Sequence, residues 1–294
     1  MFDSIAQLVE AAETQGLPMH EVVIRAEMAN SGKPREHLLG RMARRLEIMR
    51  RAAAQGISEP VMSISGISGG NAYRFWQWLE AGHQPLTGPI LSRAVARAMA
   101  VNEVNAGMGC IVATPTAGSA GILPAVLLTL QEARGFSDAD LVNALFTASG
   151  VGIVIVRRAH VSGAAGGCQA ETGSAACMAA AAAVELLGGT PRQAAHAVAI
   201  TLKNMLGLVC DPVAGLVEVP CVKRNAAGAA QCFIAVDLAL AGVESVIPAD
   251  EVIDAMAQIG RRMDERFKET ALGGLAATPT GRRLAEMVWG NKPT

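Results

Sequence analysis

The sequence predicts an all-α protein: a helical core interrupted by loops rich in glycine, serine and threonine. Three observations predict it. Apolar residues recur every three to four positions through most of the chain, and the only strand-like patch, Gly152 to Val156, is equally compatible with a buried helix end. Helix-capping residues stand where those apolar runs begin, and glycine or proline stands where they stop. The composition is 51% hydrophobic but only 3% aromatic, with 31 glycines, so the apolar volume comes from small and aliphatic side chains that let helix backbones approach closely. A charged fraction of 17% and a mean hydropathy of +0.32 exclude disorder. No period of 20 to 50 residues repeats, which argues against a solenoid. With 294 residues the length allows about two domains at roughly 150 residues each. We divide the chain into an N-terminal helical section, 1–56, and a larger helical domain, 57–294, that carries the chemistry, the two packed as one unit.

In the first section, Asp3 or Ser4 caps a helix in which Ile5, Leu8, Val9 and Ala12 share a face; Gly16 ends it and Pro18 follows. From Pro34 to Gln55 the stripe Leu38, Leu39, Met42, Leu46 and Met49 predicts a long amphipathic helix stopped by Gly56. Arg41, Arg44, Arg45, Arg50 and Arg51 lie largely off that stripe, on a solvated face or against an acidic partner. Ser58 to Asn71 reads as a loop, a short helix holds Trp76 and Trp78, and Pro85 to Pro89 break the chain again. The uncharged run Val104 to Gln131 contains Pro115, Gly118, Gly121 and Pro124, so it reads as a buried loop feeding a helix rather than a membrane span. Ser137 and Asp140 form a capping-box pattern that opens a helix through Leu145. Thr172 to Leu187 is so rich in alanine that it predicts a buried helix, and Thr190 with Pro191 opens the next.

With 25 basic against 26 acidic residues, bulk electrostatics predict neither a nucleic-acid nor an anionic-membrane partner. The segment Met1 to Gln15 has no basic start and no apolar stretch of a secretory signal, so a cytoplasmic chain is expected. There the 6 cysteines are reduced thiols or metal ligands rather than a disulfide framework.

Three loops interrupt the apolar helices: Ser63 to Asn71, Ala113 to Gly121 and Ser162 to Glu171. Small residues with accessible N–H groups and hydroxyls suit a small anionic substrate, although turn chemistry explains the glycines equally well. No nucleotide-binding glycine pattern is present. Cys110, Cys177 and Cys232 lie in or beside alanine-rich sequence and are expected as buried small hydrophobes. Cys168, Cys210 and Cys221 each stand in a loop, at separations of 42 and 11 residues that match no zinc or ferredoxin motif. They either converge on one metal or cluster or stand apart. Lys203, Lys223 and Arg224 flank the second and third, to offset thiolate charge or to pair with Asp211 or Glu218.

The segments SGAAGGCQAETGSA from Ser162, ITLKNMLGLVCDPVAGLVEVPCVKRNA from Ile200, ATPTAGSAG from Ala113 and GGLAATPTGR from Gly273 closely resemble the α chain of iron–sulfur-dependent L-serine dehydratases. The resemblance runs over essentially the whole chain, including NEVNAGMG from Asn102. It implies a [4Fe-4S] cluster held by Cys168, Cys210 and Cys221, with a fourth iron open as a Lewis acid for the serine hydroxyl. The implied products are pyruvate and ammonia, a step of amino-acid degradation that feeds gluconeogenesis. Ser68, Gly69, Asn71, Thr114, Thr116 and Ser119 become candidates for orienting the amino acid, and Lys203 for its carboxylate.

The general base is not evident. Among His20, His37, His83, His160 and His196, His160 lies nearest in sequence to a cluster cysteine. In two-chain members of the family a smaller β chain is thought to bring a histidine in a Ser-His-Thr setting, a motif missing from this sequence. Single-chain relatives place a cysteine near their C-terminus, whereas this sequence finishes Asn291-Lys292-Pro293-Thr294. Both departures favour a hetero-oligomer with a β chain. Competing readings are a related cluster-dependent L-cysteine desulfidase, a non-catalytic iron–sulfur sensor subunit, and a pyridoxal phosphate enzyme using Lys203 or Lys223 with the Gly163 to Gly167 loop. The resemblance favours the cluster, with no pyridoxal phosphate.

Overall fold

A computed structural model describes residues 2–290. The chain end Asn291 to Thr294, on which the two-chain expectation partly rests, lies outside the described residues. Helices account for all the regular structure among them, and the only ladder contacts are two isolated bridges, Met62 with Gly69 and Cys210 with Lys268.

Helix α1 (Ile5–Gln15) buries Ile5, Leu8, Val9 and Ala12; the Ser4 hydroxyl accepts from the Gln7 N–H, and Gly16 closes the helix in the left-handed region. Its first N–H groups also find a distant acceptor: Asp250 takes those of Ile5 and Ala6 at 2.8 and 3.0 Å. Helix α2 (Met19–Ser31) follows Pro18, which supplies no capping side chain. Glu185 supplies the cap instead, accepting from the Met19 N–H at 2.7 Å and the His20 N–H at 3.3 Å.

Helix α3 (Arg35–Ser58) buries the predicted residues Leu38, Met42, Leu46 and Met49, and it runs through Gly56 rather than stopping there. The reason is packing. Helix α3 crosses α5 (Gly88–Ala106) so closely that a Cβ on Gly56 would stand 2.6 Å from the Ala100 carbonyl oxygen. The short helix α4 (Asn71–Glu80) lays Trp76 under the guanidinium groups of Arg93 and Arg97, at 4.6 and 5.2 Å from the ring centre.

The uncharged run resolves into the end of α5, a loop, and α6 (Ile122–Arg134), in which Ile122 to Leu130 are all buried. Helix α7 (Asp138–Arg158) opens on the capping box of Ser137 and Asp140 and contains Gly152 to Val156, which settles that patch as helix. Among the described residues α7 alone is long and apolar enough to cross a membrane, and most of it is buried against other helices. After the single turn α8 (Gly163–Gly166), one π-helical turn, Gln169–Gly173, leads into α9 (Ser174–Leu186). Every residue from Ser174 to Val184 is buried, because α9 is the axis around which α6, α7, α10 (Pro191–Lys203) and α11 (Cys221–Leu240) pack. Alanine is what allows that: larger side chains there would overpack at about 1–3 kcal/mol each. Helix α12 (Ala249–Arg262) covers the α8 end, and α13 (Pro279–Trp289) folds back so that the Trp289 indole donates to the Ala214 carbonyl at 3.0 Å. One core cluster runs from Ile5 to Met256 and so includes residues on both sides of position 56.

Two cysteine expectations are corrected. Cys110 is exposed, because α5 ends at Ala106 and the chain turns outward through Met108, which has a positive φ of 62°. Cys221 does not sit in a loop but is the first residue of α11. Cys177 and Cys232 are fully buried as expected.

Candidate functional site

Cys168, Cys210 and Cys221 reach one neighbourhood by three different routes. Cys168 stands between α8 and the π-helical turn, and its thiol lies 2.9 Å from the Thr172 hydroxyl. Cys210 is held in an extended segment paired with the stretch after α12: its N–H donates to the Phe267 carbonyl and its carbonyl accepts from the Glu269 N–H, both at 2.8 Å. Cys221 is placed by the start of α11.

The three thiols act on one another electrostatically. Burial pushes up the Cys210 thiol, and the charges of Glu171, Cys168, Glu269 and Cys221 push it further. Burial also raises Cys221, to about 12, with Cys168 and Glu171 adding to the effect and Arg224 opposing it. Cys168 is raised by burial against hydrogen bonds from Thr172 and Arg224. The thiols therefore remain neutral at pH 7 unless a cation joins them.

Glu171 closes the site. Its carboxyl faces the Cys210 thiol at 3.9 Å, and it also hydrogen-bonds the Thr116 hydroxyl and the Gly163 N–H. Burial raises its pKa, and neighbouring Glu269 adds to this. Gly163 makes room for both groups: a Cβ there would lie 2.7 Å from the Cys210 sulfur and 2.8 Å from a Glu171 oxygen. The cation inside this wall is Arg224, which donates to the Val209 carbonyl at 2.7 Å, to Asp211 at 2.8 Å, and to Cys168. Burial works against its charge, but Cys168 and Asp211 outweigh that and raise its pKa.

The other two loops join at the rim. Glu218, buried three residues before Cys221, accepts from the Ser65 hydroxyl at 2.8 and 2.9 Å and from the Ser68 hydroxyl at 3.0 Å. Gly69 adopts a φ of 143°, and a Cβ would approach the Val61 carbonyl oxygen to 2.5 Å, so glycine is required there. The Asn71 N–H and side-chain amide both donate to buried Glu103, at 2.8 and 2.7 Å. Thr116 and Ser119 share a hydrogen bond at 3.0 Å; Ser119 is fully buried and also donates to the Thr114 carbonyl. The Thr114 hydroxyl is buried without a partner. Gly118 is held by Asn102 and Asn225, whose side-chain amides donate to its carbonyl at 3.0 and 2.7 Å.

Two candidates stand apart from this arrangement. Lys203 is exposed at the end of α10 with no hydrogen bond or ion pair among the described residues, and His160 is exposed at the end of α7. Glu171, Glu218, Glu103 and Glu269 join the site without a motif that marks them in the sequence. The only available signal was position: Glu171 follows Cys168 by three residues and Glu218 precedes Cys221 by three.

The buried thiols of Cys168 and Cys210 and the half-buried Cys221, beside one guanidinium and two carboxyls, make a soft donor set suited to iron or a thiophilic metal. Among the described residues no three Cys, His, Asp or Glu side chains converge tightly enough to ligate a single ion.

The serine dehydratase alpha chain family profile matches residues 14–276. The chain belongs to the serine dehydratase alpha chain family. The probable L-serine dehydratase alpha chain of Bacillus subtilis (strain 168) is 51% identical over 290 residues, covering 99% of this chain and 96% of that one. The L-serine dehydratase alpha chain of Peptoniphilus asaccharolyticus is 43% identical over 284 residues, 97% of each chain. L-serine dehydratase 2 of Escherichia coli (strain K12) is 36% identical over 280 residues, covering 94% of this serine dehydratase alpha chain but 61% of that protein.

Proposed function

We propose that this chain is the metal-bearing subunit of an L-serine dehydratase that converts L-serine to pyruvate and ammonia, with a [4Fe-4S] cluster held by Cys168, Cys210 and Cys221. The observation that carries the reading is that all three thiols lie within electrostatic reach of Glu171, and Cys168 and Cys221 also of Arg224. When bound, the cluster supplies a Lewis-acidic iron at which the substrate hydroxyl departs. A group larger than one ion suits thiols that are near enough to oppose each other's ionisation yet not clustered for a single metal.

The chain's own residues then have separate tasks. Arg224 offsets thiolate charge. The Glu171 carboxyl, with Glu269 beside it, faces the α-ammonium of the amino acid, and Thr116 holds the Glu171 oxygen in place. Ser65, Ser68 and Glu218 fix the opposite rim. Three histidines are engaged elsewhere: His20 bonds Glu185, His83 stacks on Trp78, and His196 accepts from the Ser245 N–H. We assign the α-proton to a group from a second chain, a β chain, in a cytoplasmic hetero-oligomer. The greater length of the Escherichia coli relative, of which this chain spans 61%, fits one polypeptide carrying both parts.

The test is anaerobic co-expression with a β chain, then iron counting and pyruvate assay on one sample. The expected result is about four irons per chain and pyruvate formed from L-serine, both lost in Cys210→Ala. Full iron and full activity in Cys210→Ala overturn the assignment.

A further inference from the structure

A cavity of about 530 Å³ lies away from the thiols, between α2, α3, α7 and α9, and one wall of it is the loop at Thr114 and Pro115. Its size is in the range of small-molecule sites. Its floor is apolar and adaptable, with Met42, Met49, Phe146 and Met178 facing the space. Two polar groups on it have no protein partner among the described residues. Arg45 is half-buried on the cavity side of α3 without a hydrogen bond or ion pair, and exposed Arg41 lies one turn before it. The Thr114 hydroxyl is buried and makes no hydrogen bond, although the residue is only 7% exposed. The remaining charges on the lining are Glu27 and Arg157, and Arg157 pairs with Asp3.

We propose that this cavity binds a small amphipathic carboxylate, one aliphatic chain ending in one carboxylate. The hydrocarbon fills the methionine-lined floor, and the carboxylate is taken by the guanidinium groups of Arg45 and Arg41. A guanidinium fork matches a carboxylate in plane and charge, and the bond is stronger at the edge of an apolar space than in water. The site is separate from the reaction proposed above and does not depend on it. It does touch the same loop: Thr114 and Pro115 line the cavity, while Thr116 bonds Glu171 at the thiols. A bound carboxylate therefore orders residues 112–119.

The probe is octanoate, titrated by calorimetry into the full chain as purified anaerobically, with octylamine and octanol as controls. Saturable binding of one octanoate per chain is expected, at least tenfold tighter than either control and at least tenfold weaker in Arg41→Gln/Arg45→Gln. Both arginines lie outside the thiol site, so this variant keeps the wild-type melting temperature and iron content. A second variant, Ile153→Trp, narrows the cavity from α7 and abolishes binding while leaving the arginines in place. In hydrogen exchange, protection of residues 112–119 rises on addition of octanoate. Binding that does not saturate, that treats octanoate and octylamine alike, or that is unchanged in Arg41→Gln/Arg45→Gln overturns the proposal. So does expulsion of octanoate when a β chain is added, which would make the cavity a subunit contact.

Discussion

Arg224 is the position where fold and proposed chemistry are most tightly joined, so replacing it with glutamine makes a demanding test. The side chain is 17% exposed and its partner Asp211 is 5% exposed, so the pair lies largely out of water. One Arg224 nitrogen holds the Val209 carbonyl, just before Cys210, and another holds Asp211, whose second oxygen accepts from the Leu275 N–H at 2.7 Å. The network thus ties the cysteine segment to the stretch after α12. Glutamine is neutral and too short to bridge these acceptors, which leaves a buried carboxylate without its counter-charge. Removing one partner of a buried pair costs about 3–5 kcal/mol, and residual solvent contact sets the lower end here. For a chain of this size about 3 kcal/mol lowers the melting temperature by about 5 °C. The assay is thermal unfolding by circular dichroism, with iron per chain measured on the same preparation; iron should fall as well, since Cys168 loses its cationic neighbour. Arg224→Gln/Asp211→Asn should regain at least half the lost stability, because no buried charge is left unmatched. A single variant within 2 °C of wild type, or a double variant that is simply additive, refutes the reasoning.

Gly163→Ala should abolish iron binding while the helical circular dichroism signal is retained, because the atoms nearest the added Cβ are the Cys210 thiol and two carboxylate oxygens, at 2.7 to 3.2 Å; normal iron content would show that the wall is slack. Glu185→Ala should cost about 2–4 kcal/mol in urea unfolding, since it removes the cap of α2 together with the bonds to Thr147 and the His20 ring, at 2.8 and 2.6 Å. A loss under 1 kcal/mol would mean that water replaces the cap. Cys177→Ala should keep full iron and pyruvate formation and lose about 1 kcal/mol, as its thiol only fills core space beside the Val198 carbonyl; loss of iron would assign it to the metal.

Local signals carried much of the fold and little of the site. The caps at Ser4, Ser137 and Thr190 use neighbouring residues, so they are legible from a few letters, as is the alanine run that had to be buried. Gly56 looks like a helix stop because its reason for being glycine lies in α5, far along the chain. The cap of α2 is 166 residues distant at Glu185, and no spacing rule reaches that far. Glu103 and Glu218 look like surface charges and are buried because amide and hydroxyl donors from the Ser63 to Asn71 loop converge on them. The cysteines are intermediate. Their separations fit no motif, and only resemblance joined them; their common surroundings depend on the extended pairing of Cys210 with Lys268, which composition does not announce.

The site's charge balance carries a further consequence. Three thiols and two carboxyls share one guanidinium, so the metal-free chain keeps its thiols protonated. Free cysteine titrates near pH 8.5, and in the folded chain Cys221 is pushed up to about 12. Between those values the folded state holds more protons than the unfolded state, so stability must fall as pH rises, by about 1.4 kcal/mol per pH unit for each thiol in that window. Iron reverses the sign of the effect, since a bound metal favours the thiolate and its loading releases protons. Urea midpoints measured from pH 7 to 10 should therefore drop steeply for anaerobic iron-free chain and much less for the iron-loaded one. Cys168→Ala/Cys210→Ala/Cys221→Ala without iron should lose about three-fifths of the slope, the remainder coming from Cys177 and Cys232, whose thiols burial also pushes up. If the iron-free wild-type chain and the triple variant trace the same pH dependence, the three thiols do not share the buried, uncompensated setting from which their metal-binding role is argued.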